Sequence, residues 1–301
     1  MAVGHIAVET SGVSDRVRRT VALLRRRGYA VAPSRLGEMC LGGPLSEFEV
    51  RRAVALGSDL VLEDGLVVER VARAGAAAIR ARANSHREES AAYVEMTRAF
   101  VRRLVAVAPF ITAVSIAGSL ASGGFRASDD VDLNLVVEDG HRHLAYVVVN
   151  LLGLLHAMRH RSKPVDDLTR RPLAPRLMTV NFVLESSQCK PLMRQDEDMA
   201  FELFVAEPVF GLEAFRQIVD DNPGLLQHFP QLATKPAPLQ VDATRRVPRA
   251  LYPRLLEGPA RHLGRSAWRY MQWTRRHRPE ALARVAYVRA TMRPYTLFDE
   301  P

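Results

Sequence analysis

Apolar residues recur at helical spacing in three short stretches near the start of the chain. The pattern predicts helices over Asp15–Arg27, Pro33–Leu41 and Ser46–Leu56, with Gly42-Gly43-Pro44 as the turn before the third. The signal then changes to strands: Asp59–Glu63 and Leu66–Glu69 flank Asp64-Gly65, a dipeptide suited to the two positive-φ positions of a type I′ hairpin. Three helices closed by a hairpin follow the order of a winged helix-turn-helix, so residues 11–70 are expected to form a winged-helix-like module. Its middle helices carry few cations, chiefly Arg35, Arg51 and Arg52, so a packing or protein-contact role competes with DNA reading.

Helical material continues through Ala72–Arg82 and, more strongly, Ser85–Val107. There Tyr93, Met96, Phe100, Leu104 and Val107 make one apolar stripe, and Pro109 ends it. Residues 71–108 are therefore read as a helical connector. Strand and helix signals alternate next, with strands at Val114–Ala117, Val131–Val137 and Leu177–Glu185 around an apolar helix at Leu144–Arg159. Residues 109–195 are expected to be one domain. Residues 196–301 read as a helical, basic C-terminal region, with helices at Phe201–Glu207, Leu212–Val219 and Trp268–Arg289 and a Pro-rich linker at Phe229–Pro238. The expected class is α+β, with several domains.

Composition changes this picture in one respect. The chain has 301 residues, 48% hydrophobic and 25% charged, which excludes collagen-like, disordered and disulfide-stapled classes. Its formal net charge is +9, yet Val241–Pro301 holds 13 arginines against Asp242, Glu257, Glu280, Asp299 and Glu300. Nearly all the excess lies at the C-terminal end, where it suits a phosphate-rich partner. Cys40 and Cys189 match no metal or redox spacing, and the first ten residues lack the regions of a signal peptide, so a cytoplasmic protein with two reduced thiols is expected. Leu104–Phe125 has no charge over 22 residues, but Pro109, three serines and Gly123-Gly124 punctuate it, so it reads as core and no membrane partner is expected.

The candidate chemistry lies in Ser115–Val137. A short strand delivers Gly118-Ser119 at a turn, ten residues intervene, and Asp130-Val-Asp132 opens a second strand. Alternation puts both carboxylates on one face while Val131, Leu133 and Leu135 point to the other. Two carboxylates side by side repel, and a hard divalent ion between them removes the repulsion. Gly118 permits close backbone approach to an oligophosphate, and Ser119 offers a hydroxyl and backbone donors to it. Metal and phosphate cradle together suit phosphoryl or nucleotidyl transfer.

A Gly-Ser turn, some ten residues, then Asp-x-Asp on a strand resembles the signature of the polymerase β-like nucleotidyltransferase superfamily, matched here by Gly118, Ser119, Asp130 and Asp132. Thr179–Glu185 and Phe201–Gly211 also resemble a little-characterised bacterial branch of it. The resemblance implies a small mixed sheet flanked by helices, Mg²⁺ on Asp130 and Asp132 with a two-ion site open, and an NTP, with ATP expected, seated by Gly118 and Ser119. It implies transfer of a nucleoside monophosphate to an acceptor, such as RNA or another phosphate-rich molecule docking on the Arg-rich C-terminal region, with release of pyrophosphate. Where many relatives carry a long polar residue this chain has Ser122, with Arg126 as the alternative phosphate contact. The third carboxylate of active relatives falls at Asn181, which can ligate but not act as a base. Glu185 alternates onto the same face as Asn181 and is the other candidate. A non-catalytic nucleotide- or nucleic-acid-binding regulator is the competing class.

Other polar features read as ordinary structure. His141, His143, His156 and His160 share no confident metal-binding face, Asp129 suits a turn, and Asp166-Asp167 suits a solvated cluster. Trp268, Tyr270 and Trp273 lie among arginines, where packing and nucleic-acid stacking are both open readings.

Overall fold

A computed structural model of the chain describes residues 2–124, 129–159, 178–242, 244–277 and 279–298. It is α+β, and the chain divides into two compact units, each assembled from three stretches.

The first unit comprises residues 1–88, 195–204 and 223–235. It contains α1 (Ala2–Arg26), α2 (Pro33–Glu38) and α3 (Glu47–Leu56), then a hairpin of β1 (Leu60–Glu63) and β2 (Leu66–Glu69). Ser46 and Glu49 form a capping box that starts α3, each satisfying a backbone N–H of the other. Asp64 and Gly65 both take positive φ (49° and 71°), as the dipeptide predicts, and Glu63 pairs directly with Leu66. Val17, Leu23, Leu24, Leu36, Val50 and Leu66 are buried. The two later stretches join by specific contacts. Arg27 bonds Asp198 at 3.0 Å and lies over the Phe201 ring, and the amide of Gly42 donates to the His228 carbonyl.

The second unit comprises residues 89–194, 205–222 and 236–301. Its centre is a mixed four-stranded sheet in the order β5-β4-β3-β6, built from β3 (Ile111–Ala117), β4 (Val131–Val137), β5 (Met178–Glu185) and β6 (Glu207–Phe210). β3 is antiparallel to β4 and β6, whereas β4 and β5 are parallel. A parallel pair needs a crossover, and α6 (Arg142–Arg159) lies in that connection and contacts β5. One sheet face is apolar. Val114, Ile116, Leu133, Leu135 and Val183 pack there in one cluster with Phe100, Val101 and Leu104 of α4 (Ala76–Val107) and Val149 of α6.

The remaining elements are α5 (Gly118–Ser122), α7 (Glu197–Val205), α8 (Leu212–Asp220), α9 (Pro223–His228), α10 (Glu257–Arg275) and α11 (Pro279–Met292). The first residue of α10 secures the start of α6: the Glu257 carboxylate accepts the amides of His143 (2.6 Å) and Leu144 (3.0 Å) and the His143 ring nitrogen Nδ1 (2.8 Å). Burial raises the Glu257 carboxyl, but these bonds outweigh it and hold the group below its ordinary range.

Several boundaries differ from expectation. The two helical stretches before Pro109 form the single helix α4. The expected helix Phe201–Glu207 ends at Val205, and Glu207–Phe210 is an edge strand instead. Pro208 has no N–H to give a ladder, and an edge position tolerates that. The helix expected over Trp268–Arg289 is broken between α10 and α11, where Pro279 starts the second helix. Leu104–Phe125 holds a helix end, β3 and α5, and among the described residues no helix is long and apolar enough to cross a membrane.

Candidate functional site

The Gly-Ser turn and the Asp-x-Asp strand meet because β3 and β4 are antiparallel. Their pairing ends with Ala117 opposite Asp132, so Gly118, the next residue, arrives beside the Asp132 carboxylate. The contact requires glycine twice over. Gly118 has φ +62°, and a methyl there would overlap Asp132 Oδ2 and lie 3.0 Å from its Cβ and Cγ. Gly118 also opens the single-turn helix α5, which closes at Gly123 with φ +95°.

Asp130 and Asp132 are two positions apart and both half-buried. Asp132 Oδ1 accepts the Thr179 hydroxyl at 2.8 Å, across the β4–β5 pairing of the same two residues. This bond fixes one oxygen and leaves Oδ2 on the Gly118 side. Ser119 is buried, and the Ser122 hydroxyl donates to the carbonyl of Gly118 at 2.8 Å, inside its own helix. Arg126 lies outside the described residues, as do His160 and Asp166-Asp167.

The polar row continues along the same face. Asn134 follows Asp132 by two residues, is buried, and accepts at Oδ1 from Asn181 Nδ2 at 2.9 Å. Buried Ser115 pairs with Asn134 from β3. Ser115, Asn134 and Thr179 were not singled out by sequence reasoning. Their signal was the period-two run Asp130-x-Asp132-x-Asn134, together with Thr179 two residues before Asn181.

Glu185 is not brought to the pair. The register of β4 and β5 slips between Leu133↔Val180 and Asn134↔Phe182, leaving Asn181 as the extra residue of a β-bulge. The bulge shifts the alternation by one. Phe182 follows Asn134's side, while Val183 joins the apolar cluster, and Glu185, two residues on, takes the side of Val183. The expectation that Glu185 shares the face of Asn181 is thereby corrected. Glu185 also pairs with Val137, five residues beyond Asp132, or roughly 16 Å at strand rise. Its carboxylate accepts the Gly140 amide at 2.8 Å, and its own N–H donates to Gln188 Oε1 at 2.9 Å.

Carboxylates are hard oxygen donors and suit Mg²⁺, which keeps several waters and commonly takes one or two protein carboxylates plus substrate phosphates. Asp130 and Asp132 fit that requirement. Among the described residues, no group of three or more His, Cys, Asp or Glu side chains is positioned to hold a metal. Two of the described histidines make ring contacts with Phe side chains. His141 stacks on Phe110 with ring centres 4.9 Å apart, and His156 meets Phe100 edge-on. Cys40 and Cys189 are buried free thiols. Burial pushes the Cys189 thiol up to about 12 and raises that of Cys40, which removes both from nucleophilic chemistry near neutral pH. No protein-family model, curated protein or solved structure matches the chain.

Proposed function

We propose that the protein is a Mg²⁺-dependent nucleotidyltransferase of the polymerase β-like type, transferring a nucleoside monophosphate from an NTP, with ATP the expected donor, to an acceptor and releasing pyrophosphate. The observation that carries the reading is the apposition of Gly118 to Asp132 at the matched ends of β3 and β4. It supports a site in which a phosphate-cradling turn and a metal-binding carboxylate pair share one edge. Asp130 and Asp132 would hold Mg²⁺, which supplies charge neutralisation at the phosphates. Gly118 and Ser119 would seat the triphosphate, while Thr179 orients Asp132 through its hydroxyl. The mixed sheet with α4 and α6 on its apolar face agrees with this type of fold.

One test is direct. Asp132→Ala is expected to lose Mg²⁺-ATP binding by calorimetry, and unchanged binding would refute the site. Labelled NTPs with Mg²⁺ and cell extract then identify the acceptor.

The second reading, a nucleotide-binding regulator without transfer, is favoured by a specific observation. Asn181 is engaged with Asn134, and Glu185 is committed at the far end of β5, so the Glu185 carboxylate does not stand beside Asp132 as a base. Mg²⁺-ATP binding without label transfer to any component of the extract would select it.

For the first unit, the three helices and I′ hairpin support a winged-helix-like module. Arg35 is paired with Glu38 (2.6 Å) and Arg51 with Glu47 (2.7 Å). That neutralisation favours protein contact over DNA reading.

A further inference from the structure

The three aromatics of α10 divide into two roles. Trp268 is half-buried, with the Arg289 guanidinium of α11 4.6 Å from its ring centre, so it packs one helix on the other. Tyr270 and Trp273 have no such role: they are 65% and 57% exposed. Their rings stack at 6.1 Å with planes 26° apart, and the Arg276 guanidinium sits 4.0 Å from the Trp273 ring centre. Positions 269, 270, 273 and 276 follow i, i+1, i+4, i+7, so exposed Arg269 shares this side of the helix. Between Gly258 and Pro279 the sequence has six arginines and no carboxylate.

We propose that this face of α10 docks single-stranded RNA, with unpaired bases stacking on Tyr270 and Trp273 and phosphates held by Arg269 and Arg276. Large aromatic surface in water is unfavourable, and these two rings are already ordered against each other and a guanidinium. A base plane covers such a surface regardless of sequence, and the uninterrupted positive charge complements a phosphate backbone. A protein partner of ordinary composition offers no regular row of anions to exposed Arg269 and Arg276, and a duplex offers no free base face. The choice of RNA over DNA rests on the transferase reading, because RNA presents acceptor hydroxyls along its whole length. The stacking surface does not rest on it.

The test uses the full chain and a fluorescein-labelled twelve-nucleotide oligoadenylate RNA, read by anisotropy without NTP or Mg²⁺, so that binding can succeed where transfer fails. The double variant Tyr270→Ala/Trp273→Ala is expected to weaken binding roughly tenfold or more, whereas Tyr270→Phe retains it. Arg269→Gln is expected to lower the slope of log affinity against log salt by about 0.7. Unchanged thermal unfolding of the variants shows that they fold. Equal binding by the parent and the double alanine variant would overturn the surface, as would equal competition by duplex RNA. Equal affinity for the DNA strand of the same sequence would overturn the assignment to RNA. Self-association that the double variant abolishes, with no strand binding by the parent, would make the face a protein interface instead.

Discussion

The β4–β5 pair has two halves that differ in kind. Before the bulge at Asn181, the outward residues are polar: Asp132 bonds Thr179, Asn134 bonds Asn181, and the backbone of Gly118 presses on a carboxylate. After it, Phe182 and Leu184 are buried, and Glu185 bonds the Gly140 amide. The first half keeps a carboxylate and two amide side chains at buried or half-buried positions, an arrangement that does little for folding. The second half builds the domain. One inserted residue separates them, because it lets a single strand present polar groups at one end and apolar groups at the other on the same face. Function and stability should accordingly respond to different substitutions.

The sharpest challenge to that separation lies in the second half. Phe182→Ala removes a fully buried ring and is expected to lower stability by about 3–5 kcal/mol in urea denaturation. A loss below about 1 kcal/mol would mean the second half is not the structural one. Gly118→Ala comes next, with a loss of roughly 2–3 kcal/mol from the positive φ and the overlap with Asp132. Adding Asp132→Ala should recover the overlap share; no recovery would place the strain elsewhere.

Glu257→Gln tests the start of the crossover helix α6, and here pH gives the sign. The folded carboxyl sits below its ordinary 4.5, so its contribution is present above that pH and fades as pH falls through the folded value. Near neutral pH the variant should be about 1–2 kcal/mol less stable, with the gap narrowing in acid. A gap that widened toward pH 3 would contradict the hydrogen-bonded carboxylate. The smallest effect is expected for Glu185→Gln, about 1 kcal/mol or less in stability with Mg²⁺-ATP affinity unchanged. A tenfold loss of that affinity would rejoin the two halves functionally.

Much of the fold could be read locally. The hairpin at Asp64-Gly65, the start of α3 at Ser46 and the strand Val131–Val137 each follow from a signal within a few residues. The approach of Gly118 to Asp132 also agrees with a local signal, since a turn and an Asp-x-Asp strand ten residues apart can fold back on each other. What could not be read was register. Strict alternation along Thr179–Glu185 joined Asn181 to Glu185, and a bulge has no marker in that run of residues. Likewise Glu207–Phe210 became a strand because β3 had a free edge beside it, not because Pro208 favours one.

By itself the sequence determined the residue types of the site, their order and the face that Asp132 shares with Asn134, because strand periodicity is a property of the local backbone. Tertiary structure decided which partners those residues meet. Thr179 reaches Asp132, Asn181 is engaged with Asn134, Glu185 serves a loop amide, and Trp268 packs while Tyr270 and Trp273 face solvent. Each of these depends on the register or packing of segments distant in the chain, which the burial of the whole sheet and its helices selects together.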